Sequence, residues 1–307
     1  MLRSLYSGVS GLKCNQNKMD VIGNNVANAS TTAFKSGRMS FQDVFSQTLA
    51  NAQGATEEAM GGVNPRQIGL GVSIGTIDTI MTGGSTQPTG RNLDFAITGE
   101  GFFIVSPDAD GGSKLYTRDG IFYTDDEGNL VNGSGYRVLG YAVTGSAGNT
   151  VDVDTNGNGT DNYTVSDDSS DIVDTGDPDD LEALIIPSEI NGNELEGFSI
   201  DGTGLVSAVY DGTTYYLGKV ALAKFNNPEG LEKNGSNTYT QSNNSGDAQV
   251  GSAGTDGYGS IMQGFIEMSN VDLATELTDM IITSRAYQAN SKTISTSNEM
   301  LQHLLNM

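Results

Sequence analysis

Both extremes of the sequence step their apolar residues alternately by three and four, whereas the residues between them step by two. At the amino end the positions are Leu2, Leu5, Val9, Leu12, Gln16, Met19, Gly23 and Val26. At the carboxyl end they are Leu273, Leu277, Met280, Ser284, Tyr287, Ser291, Ile294, Asn298, Leu301 and Leu305. Each series is a heptad stripe. Ser269 and Asp272 stand in capping-box spacing ahead of the second stripe, and a helix over 270–306 would run about 55 Å at 1.5 Å per residue. Such a helix is longer than a small domain is wide and needs a partner, which the amino-terminal stripe supplies within the same chain. The two are predicted to pair as a coiled coil. Gln16, Ser284, Ser291 and Asn298 interrupt the seam, so the pair is marginal alone and gains from helices of neighbouring copies.

Between the helices, Leu93, Phe95 and Ile97 alternate with Asp94, Ala96 and Thr98, ahead of an apolar run from Phe102 to Val105. This is strand periodicity. Asn-Gly pairs at 132, 156, 158, 191 and 234 supply left-handed positions for hairpin turns. With 41 glycines and only 6 prolines, the expected fold is mainly β with long terminal α-helices. Residues 146–180 are dense in Asp, Ser, Thr, Asn and Gly, with little to bury. The expected layout places 1–30 with 270–307 in a helical coiled coil and 31–70 in an extended connector. Residues 71–145 with 196–269 form a discontinuous β domain, and 146–195 an exposed acidic insertion that makes a small outer domain.

Charge narrows the partners. The net charge of -23 opposes nucleic acid and anionic membrane, both of which require clustered Lys and Arg. No Lys or Arg lies between Arg137 and Lys219, a gap that holds 16 acidic residues, while the first forty residues are basic. The start lacks the apolar core of a secretory signal, and no stretch reaches the roughly 18 apolar residues of a membrane helix. Membrane insertion is therefore not expected, and export, if it occurs, takes another route. The single Cys14 forms no internal disulfide and lies off its seam.

Catalytic groups are scarce. His303 is the only histidine and sits near the end of an amphipathic stripe, so neither a Ser-His-Asp nor a Cys-His mechanism is expected, and no catalytic, cofactor or metal residue is assigned. Gly69, Gly71 and Gly75 miss dinucleotide spacing. The segment Asp152 to Asp161 copies the first half of a calcium loop, but Tyr163 stands where a bidentate Glu is needed. An Asx-rich turn accounts for the same residues. A secreted calcium-dependent surface protein or adhesin is retained as a rival reading from a different class.

Several segments resemble the bacterial flagellar rod and hook family of axial proteins. Met19-Asp-Val-Ile-Gly-Asn-Asn-Val-Ala-Asn-Ala-Ser-Thr-Thr-Ala-Phe-Lys35 is similar to its amino-terminal signature, and Thr89-Gly-Arg-Asn-Leu-Asp-Phe-Ala-Ile-Thr-Gly-Glu-Gly-Phe-Phe103 to an internal one. Tyr116-Thr-Arg-Asp-Gly120, Leu217 to Phe225, Asn227 to Leu231, Ser269 to Leu277 and Arg285-Ala-Tyr-Gln-Ala-Asn290 follow in family order. The resemblance implies a structural subunit, not an enzyme and without cofactor, that polymerises with itself into a hollow helical tube. Its terminal helices would line the inside of that tube. It implies contacts with other axial and junction proteins, and export through the flagellar type III apparatus without a cleaved signal. Phe41 and Phe45 resemble the segment shown to the export gate. Ala33-Phe-Lys-Ser36, Tyr287-Gln-Ala-Asn290 and Ile294 to Met300 resemble the hook more than the distal rod, whereas the short region after Val143, Ile186-Pro-Ser-Glu-Ile190 and Phe198-Ser-Ile-Asp-Gly202 resemble the distal rod of the basal body, which is kept as the alternative.

Overall fold

The computed structural model describes residues 2–54, 62–108, 111–143, 149–153, 161–166, 168–169, 172, 174–190, 193–255 and 257–306. The two stripes become helices α1 (Leu2–Ala27) and α2 (Leu273–Leu305). α2 begins one turn later than the capping-box spacing predicts. Asp272 is the N-cap, its carboxylate accepting from the Ala274 N–H at 3.0 Å and from the Thr275 hydroxyl at 2.7 Å. An acidic side chain there also faces the positive end of the helix.

The helices share a compact unit with residues 35–80. These do not run as a plain connector. Gly37–Asp43 pairs antiparallel with Val72–Thr79, and Ser46–Ala50 with Arg66–Gly69, making a two-stranded ribbon. Ser40 and Thr76 meet across it at 2.7 Å. The stretch 71–79, assigned from sequence to the β domain, therefore belongs with the helices, because its alternating residues find their backbone partner in 37–43.

Residues 30–34 and 81–270 form the second unit. Its main sheet is antiparallel and centres on the long strand Thr213–Lys224, which pairs with Leu205–Tyr210, Arg137–Tyr141, Phe102–Ser106 and Gln249–Ser252. Successive residues feed opposite faces. Phe103, Val105, Val138, Val220 and Leu222 enter one apolar cluster, while Phe102, Ile104, Leu139, Ala221 and Ala223 enter another. Burial on both faces explains why these strands read as unbroken apolar runs.

The insertion expected over 146–195 is corrected in its second half. Leu181, Leu184, Ile186 and Ile190 are buried within the β unit. Leu181–Ala183 pairs with Arg137–Tyr141, and Glu189–Ile190 with Asn193–Ile200. Dense flanking Asp conceals this short apolar run in a compositional reading. Asn149–Val153 and Asp161–Val165 form a separate hairpin. The linking residues of the calcium-like segment, 154–160, lie outside the described residues.

Candidate assembly surface

α1 and α2 meet through small and polar side chains. Gly8 and Gly11 let the helices approach closely: a Cβ on Gly11 would stand 2.7 Å from Asn290 Nδ2, and one on Gly8 3.2 Å from Ile294. Lys18 Nζ lies 3.4 Å from the Asp279 carboxylate. Asn25, nearly fully buried, donates through Nδ2 to Gly37 O at 2.8 Å and to Glu276 Oε1 at 2.9 Å. Its Oδ1 accepts from the Gly37 N–H at 2.9 Å. One amide thus ties α1, the first ribbon strand and the first turn of α2.

The buried side of α1 runs through Gly8, Gly11, Cys14, Ile22 and Asn25. The predicted seam residues Leu5, Val9, Leu12, Met19 and Val26 sit beside that line and are half-buried. Leu2 is the first residue of the helix. On α2, Thr283 and Ser297 are buried, and Met280, Ile294 and Leu301 are half-buried. Leu273, Leu277 and Tyr287 are exposed at 47%, 48% and 40%, and Leu305 at 84%. Ile281, Ile282, Met300 and Leu304 are exposed as well. Much of the apolar surface of α2 is therefore left uncovered, while Glu276, Asp279, Asn290 and Ile294 face α1. Contiguous exposed apolar side chains are the kind of surface from which interaction sites are built.

Phe41 lies on the ribbon and Phe45 at its bend, both exposed, Phe45 at 88%. His303 is exposed in the last turn of α2. Cys14 is buried with its Sγ 3.7 Å from Val72 O, and burial pushes its thiol up, away from the thiolate a nucleophile requires.

Within the β unit, Arg118 and Glu267 form a buried ion pair at 3.3 Å that sequence reasoning did not single out. Arg118 Nη2 also donates to Gly99 O at 2.7 Å, and Glu267 Oε1 accepts from the Gly84 N–H at 2.8 Å. Burial pushes the guanidinium down and the carboxylate beside it opposes that. The same corner collects the ends of the unit's chain segments: Ala33 N donates to Glu267 O, Asn270 N to Phe34 O, and Met268 N to Ser85 O. Tyr116-Thr-Arg-Asp-Gly120 is thereby explained. Arg118 supplies the cation, and a Cβ at Gly120 would collide with Phe95 O at 1.7 Å. A buried Arg is visible in sequence only as a basic residue inside an apolar and turn-rich stretch.

Three family models match the chain. They are the flagella basal body rod protein over residues 5–35, the flagellar hook protein FlgE/F/G D1 domain over 96–208, and the flagellar basal body rod FlgEFG protein C-terminal over 262–307. Among curated relatives, the flagellar basal-body rod protein FlgG of Bacillus subtilis (strain 168) is 44% identical over 311 residues, covering 100% of this chain and 99% of the relative. The flagellar hook proteins FlgE of Treponema pallidum (strain Nichols) and Borreliella burgdorferi (strain ATCC 35210) are 33% and 31% identical over 465 and 444 residues. Each of these alignments covers 100% of both chains.

Proposed function

The chain belongs to the flagellar rod and hook family of axial structural proteins, and on that premise we propose that it is the subunit of the flagellar hook, polymerising into a hollow curved tube that joins rod to filament and transmits torque. The family is structural and not an enzyme family. The observation that carries the tube reading is the uncovered apolar surface of α2, from Leu273 and Leu277 to Leu304 and Leu305. A head-to-tail contact that covers this surface with the helices of the next copy repeats without closing, which is how helical tubes arise. In that arrangement α1 and α2 act as a coiled coil completed by neighbouring copies, with Leu2, Leu5, Val9, Leu12, Met19, Val26, Met280, Tyr287, Ile294 and Leu301 sharing the seam. Other axial and junction proteins then cap its ends. Export proceeds through the flagellar type III apparatus, with Phe41 and Phe45 presented on the exposed ribbon.

Placement in the hook rests on the wording of Ala33 to Ser36, Tyr287 to Asn290 and Ile294 to Met300, and on the whole-chain likeness to two hook proteins. A second reading, the distal rod, is favoured by two observations, the first being that the rod protein FlgG of Bacillus subtilis is 44% identical across the chain against 33% and 31% for the two hook proteins. The FlgG alignment is barely longer than this chain of 307 residues, whereas the hook alignments leave more than a hundred positions without a counterpart here. Gold-labelled antibody on isolated hook–basal bodies separates the two. Label along the curved hook supports the first reading, and label confined to the rod transfers the protein to the second. Label on neither removes the axial role.

A further inference from the structure

The two units carry very different charge. Residues 1–29, 35–80 and 271–307 hold 9 acidic and 8 basic residues, a net of -1; residues 30–34 and 81–270 hold 29 acidic and 7 basic, a net of -22. Of those seven cations, five are already engaged by carboxylates of the same unit, in Arg91–Asp94, Lys114–Asp179, Arg118–Glu267, Arg137–Glu127 and Lys224–Glu100. Lys233 lies over the Phe34 ring at 5.1 Å. The β unit thus has little positive charge left to offer the acidic surface of another copy. Glu182, Glu189, Glu194 and Glu196 are exposed around strands 181–200, a sector where no basic residue stands between Arg137 and Lys219.

We propose that copies of this chain associate productively only in concentrated salt, so that the assembled tube belongs to a saline milieu and its outer surface is held together by a diffuse atmosphere of mobile cations. The inference rests on the tube reading above. Attraction comes from the nearly neutral helical unit and its uncovered apolar side chains, and repulsion from the acidic one. Mobile salt acts on the second: the screening length is about 30 Å in 0.01 M salt, about 8 Å at 0.15 M and about 3 Å at 1 M. Close packing of units of charge -22 without complementary cations is opposed until that length falls below the gap between neighbouring surfaces. Diffuse screening depends on ionic strength and not on which monovalent cation supplies it, which separates it from a bound bridging ion.

The test uses the full-length chain and a fourfold variant, Glu182→Lys, Glu189→Lys, Glu194→Lys and Glu196→Lys, with folding of the variant checked by its thermal transition. The critical concentration for pelleting is measured between about 0.05 M and about 2 M NaCl or KCl. The expected result for the natural chain is a fall of about ten-fold or more across that range, equal in the two salts, and a clearly shallower fall in the variant. Equal slopes in both proteins would assign the salt effect to strengthened apolar burial and overturn the proposal. So would a flat response, or a response to millimolar Ca²⁺ or Mg²⁺ at fixed ionic strength. If no polymer forms at any salt, the tube reading fails by itself. The proposal is then decided by light scattering on the monomer, whose second virial coefficient must be positive at low salt and fall several-fold on screening, and by less in the variant.

Discussion

Asn25 does with a neutral amide what a strand does with its backbone: it gives and takes a hydrogen bond with Gly37, and spends its remaining N–H on Glu276. In the Asn25→Ala variant the half-buried Gly37 N–H and C=O lose their Asn25 partner, which costs about 1 kcal/mol. Hydrogen exchange at the Gly37 amide reads the loss directly, and an unchanged rate would show the contact to be dispensable. Asp174 makes a different kind of tie, accepting from the Ser252 N–H at 2.9 Å. The buried Tyr141 hydroxyl lies beside the same carboxylate. Burial pushes Asp174 up, but the hydrogen bonds of Ser252 and the neighbouring Tyr141 outweigh it, so its carboxyl titrates below its ordinary value. A carboxyl depressed in the folded state stabilises fully above the unfolded value of about 3.9 and loses that contribution as pH falls through the folded one. Asp174→Ala is therefore expected to lower stability at neutral pH by no more than about 1 kcal/mol, since the side chain is partly in solvent. The difference from the natural chain should close in acid. A gap in melting temperature that persists at low pH would assign the effect to packing.

At the scale of the element, α2 presents most of its apolar side chains to solvent while contacting α1 with Glu276, Asp279, Asn290 and Ile294. Leu277→Asp separates assembly from folding for that reason. At 48% exposure the site tolerates a carboxylate, and the monomer should lose less than about 0.5 kcal/mol. In a polymer that covers the site, the unpaired charge costs several kcal/mol, roughly, and tubes should not form. Normal assembly of this variant would mean that the uncovered surface of α2 is not the contact. Both helices are legible in the sequence because a three-four step over so many residues has no strand equivalent. The side of α1 that faces its partner is not. Apart from Ile22 the buried line is Gly8, Gly11, Cys14 and Asn25, and at Gly8, Gly11 and Asn25 close approach to α2 is favoured by smallness and by an amide, which a pattern of Leu and Val does not register. The strands at 181–190 escape for the opposite reason: Leu181, Leu184, Ile185, Ile186 and Ile190 are outvoted by the acidic composition around them.

At the scale of the molecule, the β unit owns its core. Among the described residues, every member of its three apolar clusters, and every residue packed against them, comes from positions 81–261. The chain enters or leaves this unit at 29–30, 34–35, 80–81 and 270–271. Inside the unit those ends are gathered by Ala33 N to Glu267 O, Asn270 N to Phe34 O and Gly84 N to Glu267 Oε1, over the buried Arg118–Glu267 pair. Removing residues 1–28 and 272–307 deletes no cluster member and cuts none of these bonds. The trimmed protein is accordingly expected to be a soluble, mainly β monomer whose melting temperature stays within a few degrees of the main transition of the whole chain, because the apolar area buried in its core is unchanged. It should form no tubes at any salt concentration, having lost the uncovered surface of α2. Arg118→Met in the trimmed protein provides the internal control. Leaving Glu267 buried without its cation costs about 3–5 kcal/mol, and should lower the melting temperature sharply if the corner is as closed in the fragment as in the whole chain. A trimmed protein that unfolds would make the helices part of the β core. One that melts normally but ignores Arg118→Met would show that the corner opens once α1 and α2 are gone, and that the helices hold the gathered segments in place.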